Sequence, residues 1–348
     1  MNFLCKHPFI YVSITPDGHY QLCPHSKKLN PIHNTKNTSL HDFFYSEYSN
    51  NIREDMLDGI MSDDIKEMCS ECINLEKNDL PSHRRMLWDF KKPEIEIIHL
   101  NNIGTKCNLK CITCGPERSS TFGTLIDNWS EFDIEQIKNI KEIWAIGGEA
   151  LLMKRTKDIV DKSSDDSTIF IVTNSTTFPK WILDYKEKIT IVMSIDGIGK
   201  VDEYIRLGTI FNRKLKNMDK FVKNFKHRFI FTLNMINYSY MNDVIDFLKE
   251  RYDYDLDVIN RLQNPPFLDC VNVPNNHVGH ANHEVFLEGI RFLKYYDIEN
   301  GKNLLDICPE WQTFYEKENP QPHNFSMANL TMDIPPLTIY DRNELINV

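Results

Sequence analysis

The sequence predicts an α/β protein: a parallel sheet with helices outside it, a small cysteine-rich module before it and a helical extension after it. Three observations carry this. Six apolar, β-rich runs lie at 94–100, 141–147, 168–173, 189–194, 228–235 and 255–261, and helical stretches near 117–129, 150–162, 179–187, 213–226 and 240–251 separate most of them. That alternation with short connections is the pattern of strands joined by crossover helices. Four of the 9 cysteines fall before residue 73 and three more between 107 and 114, which divides the chain before any element is assigned. Finally, 41% hydrophobic and 26% charged residues in 348 describe a folded chain of about two domains. A partial barrel and a doubly wound sheet both fit, whereas a closed eight-stranded barrel needs more chain than precedes residue 270.

In order along the chain, residues 1–92 read as the small module. Residues 9–14 form a β-rich run, Thr15-Pro16-Asp17-Gly18 has turn chemistry, and 19–22 returns as a second strand. Residues 39–59 carry apolar positions at helical spacing up to Gly59, and Lys91-Lys92-Pro93 reads as a linker. The sheet unit occupies 93–270, with Pro179 suited to a helix's first turn. Residues 271–348 form the extension, helical over 282–318 with an interruption at Pro309, then proline-rich and extended over 319–348. No internal repeat is present.

The formal charge of −10 gives nucleic acid no overall attraction to the chain. No apolar run reaches the ~20 residues of a membrane span. The first 14 residues carry Lys6 and His7 and do not read as a signal peptide, so a cytoplasmic location is expected. An odd, clustered set of cysteines in a reducing compartment points to metal or redox chemistry rather than to a disulfide framework.

Directly after the run at 94–100 comes Cys107-Asn108-Leu109-Lys110-Cys111-Ile112-Thr113-Cys114, a C-x3-C-x2-C loop. Three thiolates on so short a loop can wrap one face of an iron–sulfur cube and leave its fourth iron open, and an open position is what marks a catalytic metal. A zinc site or three buried thiols is the plainer reading. The run at 141–147 ends in Gly147-Gly148-Glu149-Ala150, that at 168–173 in Thr173-Asn174, and that at 189–194 in Ser194-Ile195-Asp196-Gly197.

In these residues the chain resembles the radical S-adenosylmethionine (SAM) enzymes over 94–262. The cysteine loop after the first barrel strand and the Gly-Gly-Glu turn after the second carry the resemblance. It implies a partial (β/α)6 TIM-type barrel in which Cys107, Cys111 and Cys114 hold a [4Fe–4S] cluster. It further implies SAM contacts from Gly147, Gly148 and Glu149, from Thr173 and Asn174, from Ser194 and Asp196, from Arg206 within Tyr204-Ile205-Arg206, and from Asn234. Glycine at 147 and 148 also has a physical reason, since it lets backbone approach a ligand closely. Thr113 stands where the family usually has an aromatic residue, and Ala150 where it has proline.

Cys5, Cys23, Cys69 and Cys72 can close a tetrahedral zinc site or hold a whole [4Fe–4S] cluster, and His7 or His25 can replace one thiolate. The spacing from Cys5 through Gly18 to Cys23 resembles the opening of the twitch/SPASM auxiliary-cluster module of radical SAM enzymes, and Glu76, Ser82, His83 and Arg84 loosely match proteins carrying such a module at the N-terminus. The resemblance implies reductive cleavage of SAM to a 5′-deoxyadenosyl radical that abstracts hydrogen from a substrate, with a peptide as the leading substrate and a flavodoxin- or ferredoxin-type electron donor. The alternatives are a sugar or small-metabolite substrate, or a non-catalytic zinc-binding interaction protein. Cys270 and Cys308 match no motif. Either, facing the pocket, would be a hydrogen-atom donor; as buried small hydrophobes they would have no such role. The basic run His83-Arg84-Arg85 reads as solvated, with contact to a phosphate or carboxylate as the alternative, 213–226 as a solvated amphipathic helix, and the aromatic-rich stretch 286–315 as packing against the barrel, a lid or a dimer surface.

Overall fold

The computed structural model describes residues 5–15, 17–24, 26, 32–77, 82, 84, 92–101, 103–116, 118–123, 132–254, 256, 258–262, 265–274 and 282–321. The expectations for His25, His83, Arg85, most of the stretch 117–129 and the tail beyond 321 lie outside them.

Ten strands are present among these residues: β1 (Tyr11–Ile14), β2 (Tyr20–Gln21), β3 (Ile97–Asn101), β4 (Lys110–Cys111), β5 (Glu142–Ile146), β6 (Thr168–Thr173), β7 (Ile189–Ser194), β8 (Arg206–Leu207), β9 (Lys226–Leu233) and β10 (Val258–Arg261). Eight of them form one sheet in the order β10-β9-β7-β6-β5-β3-β1-β2, and β4 pairs separately with β8. Every neighbouring pair from β10 to β1 is parallel. The six strands of the partial barrel are thus the six apolar runs of the sequence, within a few residues at each end.

The strand sequences explain the arrangement. Strands β6 (TIFIVT) and β7 (ITIVMS) are almost continuous runs of β-branched and apolar residues, and β7 is buried at every position. Central parallel strands covered on both faces need this composition. One face, with Ile98, Leu100, Ile143, Ile169, Ile171, Ile191 and Phe229, packs in one core with helix residues Ile159, Met218, Phe221, Val244 and Leu248. The opposite, inner face carries a row of rings. Tyr11 meets His99 edge-on at 4.9 Å, His99 meets Trp144 at 5.0 Å, and Trp144 stacks on Phe170 at 4.4 Å. The Arg228 guanidinium lies 5.1 Å from the Phe170 ring centre.

The structure departs from the sequence expectations in four places. Residues His7–Ile10 form a single helical turn, so the first strand begins at Tyr11. That strand pairs in parallel with β3, Tyr11 opposite Ile97 and Ile14 opposite Leu100, so the cysteine-rich module shares the barrel's sheet. The stretch 39–59 is two helices, Leu40–Phe44 and Glu47–Asp58, the second ending at Gly59 with φ 71°. This left-handed cap is a conformation glycine adopts without strain. Lys180–Tyr185 is a 3-10 segment with Pro179 just before it, not an α-helix.

The C-terminal helix His283–Asn300 and the short segments after it form a second core around Phe286, Ile290, Leu293 and Trp311, together with Tyr204, Met235 and Ile236 of the barrel. The aromatic-rich stretch therefore packs against the barrel. Among the described residues no helix is long and apolar enough to cross a membrane.

Candidate metal and cofactor site at the strand ends

The loop that follows β3 is held from three sides. Within the Gly-Gly-Glu turn that follows β5, Gly148 N–H donates to the Gly104 carbonyl (3.0 Å) and Glu149 N–H to the Lys106 carbonyl (2.8 Å), one residue before Cys107. A Cβ on Gly148 would lie 2.6 Å from the Thr105 carbonyl oxygen and 2.7 Å from that of Lys106. Both are backbone atoms, so the loop must move if that position carries a side chain. Gly148→Ala is therefore expected to destabilise the protein by about 1–3 kcal/mol, the range for overpacking, read as a lowered urea midpoint. On the second side, Asn174 Nδ2 donates to Asn108 Oδ1 (3.0 Å) and Asn108 Nδ2 to Thr176 Oγ1 (2.8 Å). On the third, β4 pairs with β8, which sets Cys111 opposite Arg206.

Glu149 is fully buried. Its Oε1 accepts from the Thr173 hydroxyl (2.7 Å) and Leu151 N–H (3.1 Å), and its Oε2 accepts from Asn174 N–H (2.7 Å). Burial pushes this carboxyl above the usual carboxylate range, and the three donors oppose the rise. A carboxylate has about four lone-pair positions, so Glu149 ties the ends of β5 and β6 together and keeps capacity for one further donor. Ser175, just past Asn174, is a non-glycine residue at φ 61°. Such a conformation costs on the order of 1–3 kcal/mol; here Ser175 N–H bonds Thr173 Oγ1 at 3.0 Å.

Beyond β7 lies a buried set of charges. Asp196 Oδ2 is 2.8 Å from Arg206 Nε, and Asp196 Oδ1 accepts from Thr232 N–H at 2.9 Å. Asp202 binds Lys214 Nζ through both oxygens at 2.8 Å, and Arg206 Nε lies 3.9 Å from Asp202. Asp196, Asp202 and Lys214 have no side-chain exposure, and Arg206 has 11%. Lys214 corrects the reading of its helix as solvated throughout: it turns inward because Asp202 is there to receive it. Burial alone would lower the Arg206 pKa, but Asp196, then Cys111 and Asp202, hold it above the ordinary value. Asn237, also fully buried, donates through Nδ2 to the carbonyls of Asp196 and Thr232 (3.0 Å each) and accepts from Asn234 N–H at 2.8 Å. Asp202, Lys214 and Asn237 were missed in the sequence. Only the four-residue step from Asp202 to Arg206 hinted at a pair on one helical face.

The donor set fits a metal cluster that brings positive charge. Burial pushes the Cys111 thiol strongly upward, and Arg206 opposes the rise. An apolar surrounding keeps a thiol protonated until a metal supplies the charge that stabilises the thiolate. Among the described residues no three His, Cys, Asp or Glu side chains converge as ligands of a single ion.

Of the other four cysteines, Cys5, Cys69 and Cys72 lie within electrostatic reach of one another. Cys5 precedes the turn that enters β1, and β2 runs back antiparallel from Tyr20, bringing Cys23 towards the start of β1. Cys69 lies between helices Asp63–Met68 and Ser70–Lys77, and Cys72 in the first turn of the latter. All four thiols are 5–7% exposed. Burial raises Cys5 to about 11 and Cys69 to about 12; Cys72 adds to the rise in both, and Arg84 opposes it. Cys5 Sγ is 3.6 Å from His7 Nδ1. This site lies at the N-terminal end of the parallel strands, while the loop 107–114 lies at their C-terminal end. A five-residue strand separates the two ends by roughly 17 Å.

Cys308 is 1% exposed in the second core, its Sγ 3.8 Å from the Ile236 carbonyl oxygen, and Cys270 opens the short 3-10 segment Cys270–Asn272. Cys308 shares that core with Ile112, the neighbour of Cys111.

Neither a family model nor a curated protein matches the chain. Among solved structures, anSMEcpe with bound AdoMet and Kp18Cys peptide is 16% identical, with a TM-score of 0.39 over 60% of this chain and 62% of that one. SuiB from Streptococcus suis, bound to precursor peptide SuiA, is 13% identical, with a TM-score of 0.37 over 86% of this chain and 75% of that one. TYW1 with a lysine–pyruvate adduct is 17% identical, with a TM-score of 0.31 over 47% and 63%. The chain thus spans less than two thirds of the anSMEcpe chain.

Proposed function

We propose that the chain is a radical SAM enzyme whose catalytic [4Fe–4S] cluster is held by Cys107, Cys111 and Cys114. The observation that carries this reading is the docking of the three-cysteine loop onto the C-terminal strand ends by the Gly-Gly-Glu turn and by β8, where barrel active sites form. When bound, the cluster with SAM supplies reductive cleavage to a 5′-deoxyadenosyl radical that abstracts hydrogen from a substrate.

The chain's own residues bind and orient. Arg206, fixed by Asp196, supplies a cation beside Cys111 suited to a carboxylate. Gly147 and Gly148 are taken up by close packing against the cysteine loop, and the remaining acceptor capacity of Glu149 suits an ammonium group. Ser194, at the end of β7, and Asn234, just past β9, border the same mouth. Asn234 already spends its side chain on its own turn, its Nδ2 donating to the Thr232 carbonyl and its Oδ1 accepting from Ile236 N–H, each at 3.0 Å. Cys5, Cys23, Cys69 and Cys72 hold an auxiliary cluster of the twitch/SPASM type, and a peptide is the favoured substrate by analogy with that module. A flavodoxin- or ferredoxin-type protein supplies the electron.

Anaerobic purification tests this reading. The protein should be brown, bind roughly eight irons for two [4Fe–4S] clusters, and convert SAM to 5′-deoxyadenosine with a low-potential reductant. Cys69→Ala should remove roughly half of that iron and leave the SAM-binding cluster, checked by iron analysis and by SAM-dependent changes in the EPR spectrum. A colourless zinc protein that leaves SAM intact would overturn the proposal.

A further inference from the structure

The four-thiol site has a charged neighbour that its ligand set does not require. Cys72 and Glu76 stand four residues apart on the helix Ser70–Lys77, and so share one face. Glu76 is gripped by Arg84 through both ends of its carboxylate, Nε to Oε1 at 3.0 Å and Nη2 to Oε2 at 2.5 Å, and it also accepts from the Ser82 hydroxyl at 2.5 Å. The Arg84 side chain is 2% exposed and that of Glu76 12%. For Arg84 this favours the carboxylate contact over the solvated run. A buried ion pair is a poor stabiliser, because removing two charges from water costs about as much as their attraction returns, and apolar residues of similar volume often do as well or better. The burial of this pair one helical turn from Cys72 calls for another explanation.

We infer that Arg84, fixed by Glu76 and Ser82, is the counter-ion of the four-cysteine site and sets how readily a cluster bound there accepts an electron. The inference rests on the auxiliary-cluster reading above. In one-electron reduction the cluster core gains the electron from an external low-potential reductant and the thiolates stay unchanged. One negative charge is thereby added to a set that is already anionic and buried. A fixed guanidinium favours the reduced form, while the Glu76 carboxylate of the same ion pair opposes it. Net charge and solvent exposure are among the main determinants of cluster potential, and groups outside the ligand set tune a metal through its ligands. Arg84 and Glu76 are positioning residues here, since neither ligates the cluster.

The test uses the full chain with Cys107, Cys111 and Cys114 all changed to Ala, so that any remaining cluster signal belongs to the N-terminal site. Dithionite titration with redox mediators, followed by EPR, gives its midpoint. Arg84→Gln should lower the midpoint, reducing the reduced-to-oxidised ratio at the parent's midpoint about tenfold, or ~59 mV for one electron. Glu76→Gln keeps the hydrogen-bonding shape and removes the opposing charge, so it should shift the midpoint upward. Arg84→Lys should stay between the parent and Arg84→Gln. General loosening of the module moves both Gln variants the same way, and that result, or no shift in either, overturns the inference. If Arg84→Gln loses its iron while Arg84→Lys keeps it, a counter-charge is needed to hold the cluster at all, which supports the assignment. Equal loss in both overturns it. A parent with zinc and no EPR signal instead overturns the auxiliary-cluster reading, a different failure from unmoved midpoints.

Discussion

Cys107→Ala is expected to reduce 5′-deoxyadenosine formation to the level without enzyme. On the proposed reading Cys107, Cys111 and Cys114 would be the whole ligand set, with the fourth iron kept open for SAM, so no spare thiolate would replace the lost one. Roughly four of eight irons should be lost, and the EPR signal of the N-terminal site should survive. The substitution should cost little stability, since the residue is only partly buried and its Sγ accepts one long bond, from Leu109 N–H at 3.5 Å. Anaerobic SAM-cleavage assays, iron analysis and a urea unfolding curve on one preparation separate the outcomes. Retained cleavage in Cys107→Ala would refute the catalytic assignment of the loop.

Lys214→Met should be the most destabilising single change at the strand ends. It leaves Asp202, which has no exposed side-chain surface, without the ammonium that binds both its oxygens. Breaking a buried pair from one side costs about 3–5 kcal/mol. Arg206 at 3.9 Å is already committed to Asp196, so it compensates poorly. Adding Asp202→Asn removes the stranded charge and should recover more than half of the loss. Urea midpoints of both single variants and the double variant complete the cycle; additive effects would show that the pair is not coupled.

The barrel strands were legible because the central ones, TIFIVT and ITIVMS, are nearly continuous apolar runs, and β3 keeps buried apolar residues at alternate positions. The cysteine loop and the Gly-Gly-Glu turn were legible because their spacing is local in sequence. What stayed hidden depends on distant partners. Lys214 lies in a helix rich in lysine, and only Asp202, placed by folding, distinguishes it from its solvated neighbours. Arg84 reads as part of a basic run until Glu76 is seen within its grasp. Helix Ser70–Lys77 was missed because its apolar positions lack a clear helical repeat and its cysteines drew attention to ligand spacing instead. The 3-10 segment Lys180–Tyr185 shows the limit of proline as a helix signal, since Pro179 fixes one φ angle but not the turn that follows.

The parallel pairing of β1 with β3 gives the cysteine-rich module a second duty. Strand β3 carries buried Ile98 and Leu100. Without residues 11–14 its outer N–H and C=O groups would stand open along an apolar border. An open border of this kind recruits strands from other copies and seeds aggregation. The module therefore acts as a selvage that finishes the sheet, and a shortened chain starting at Glu94 would expose the raw margin of the barrel rather than an independent catalytic unit.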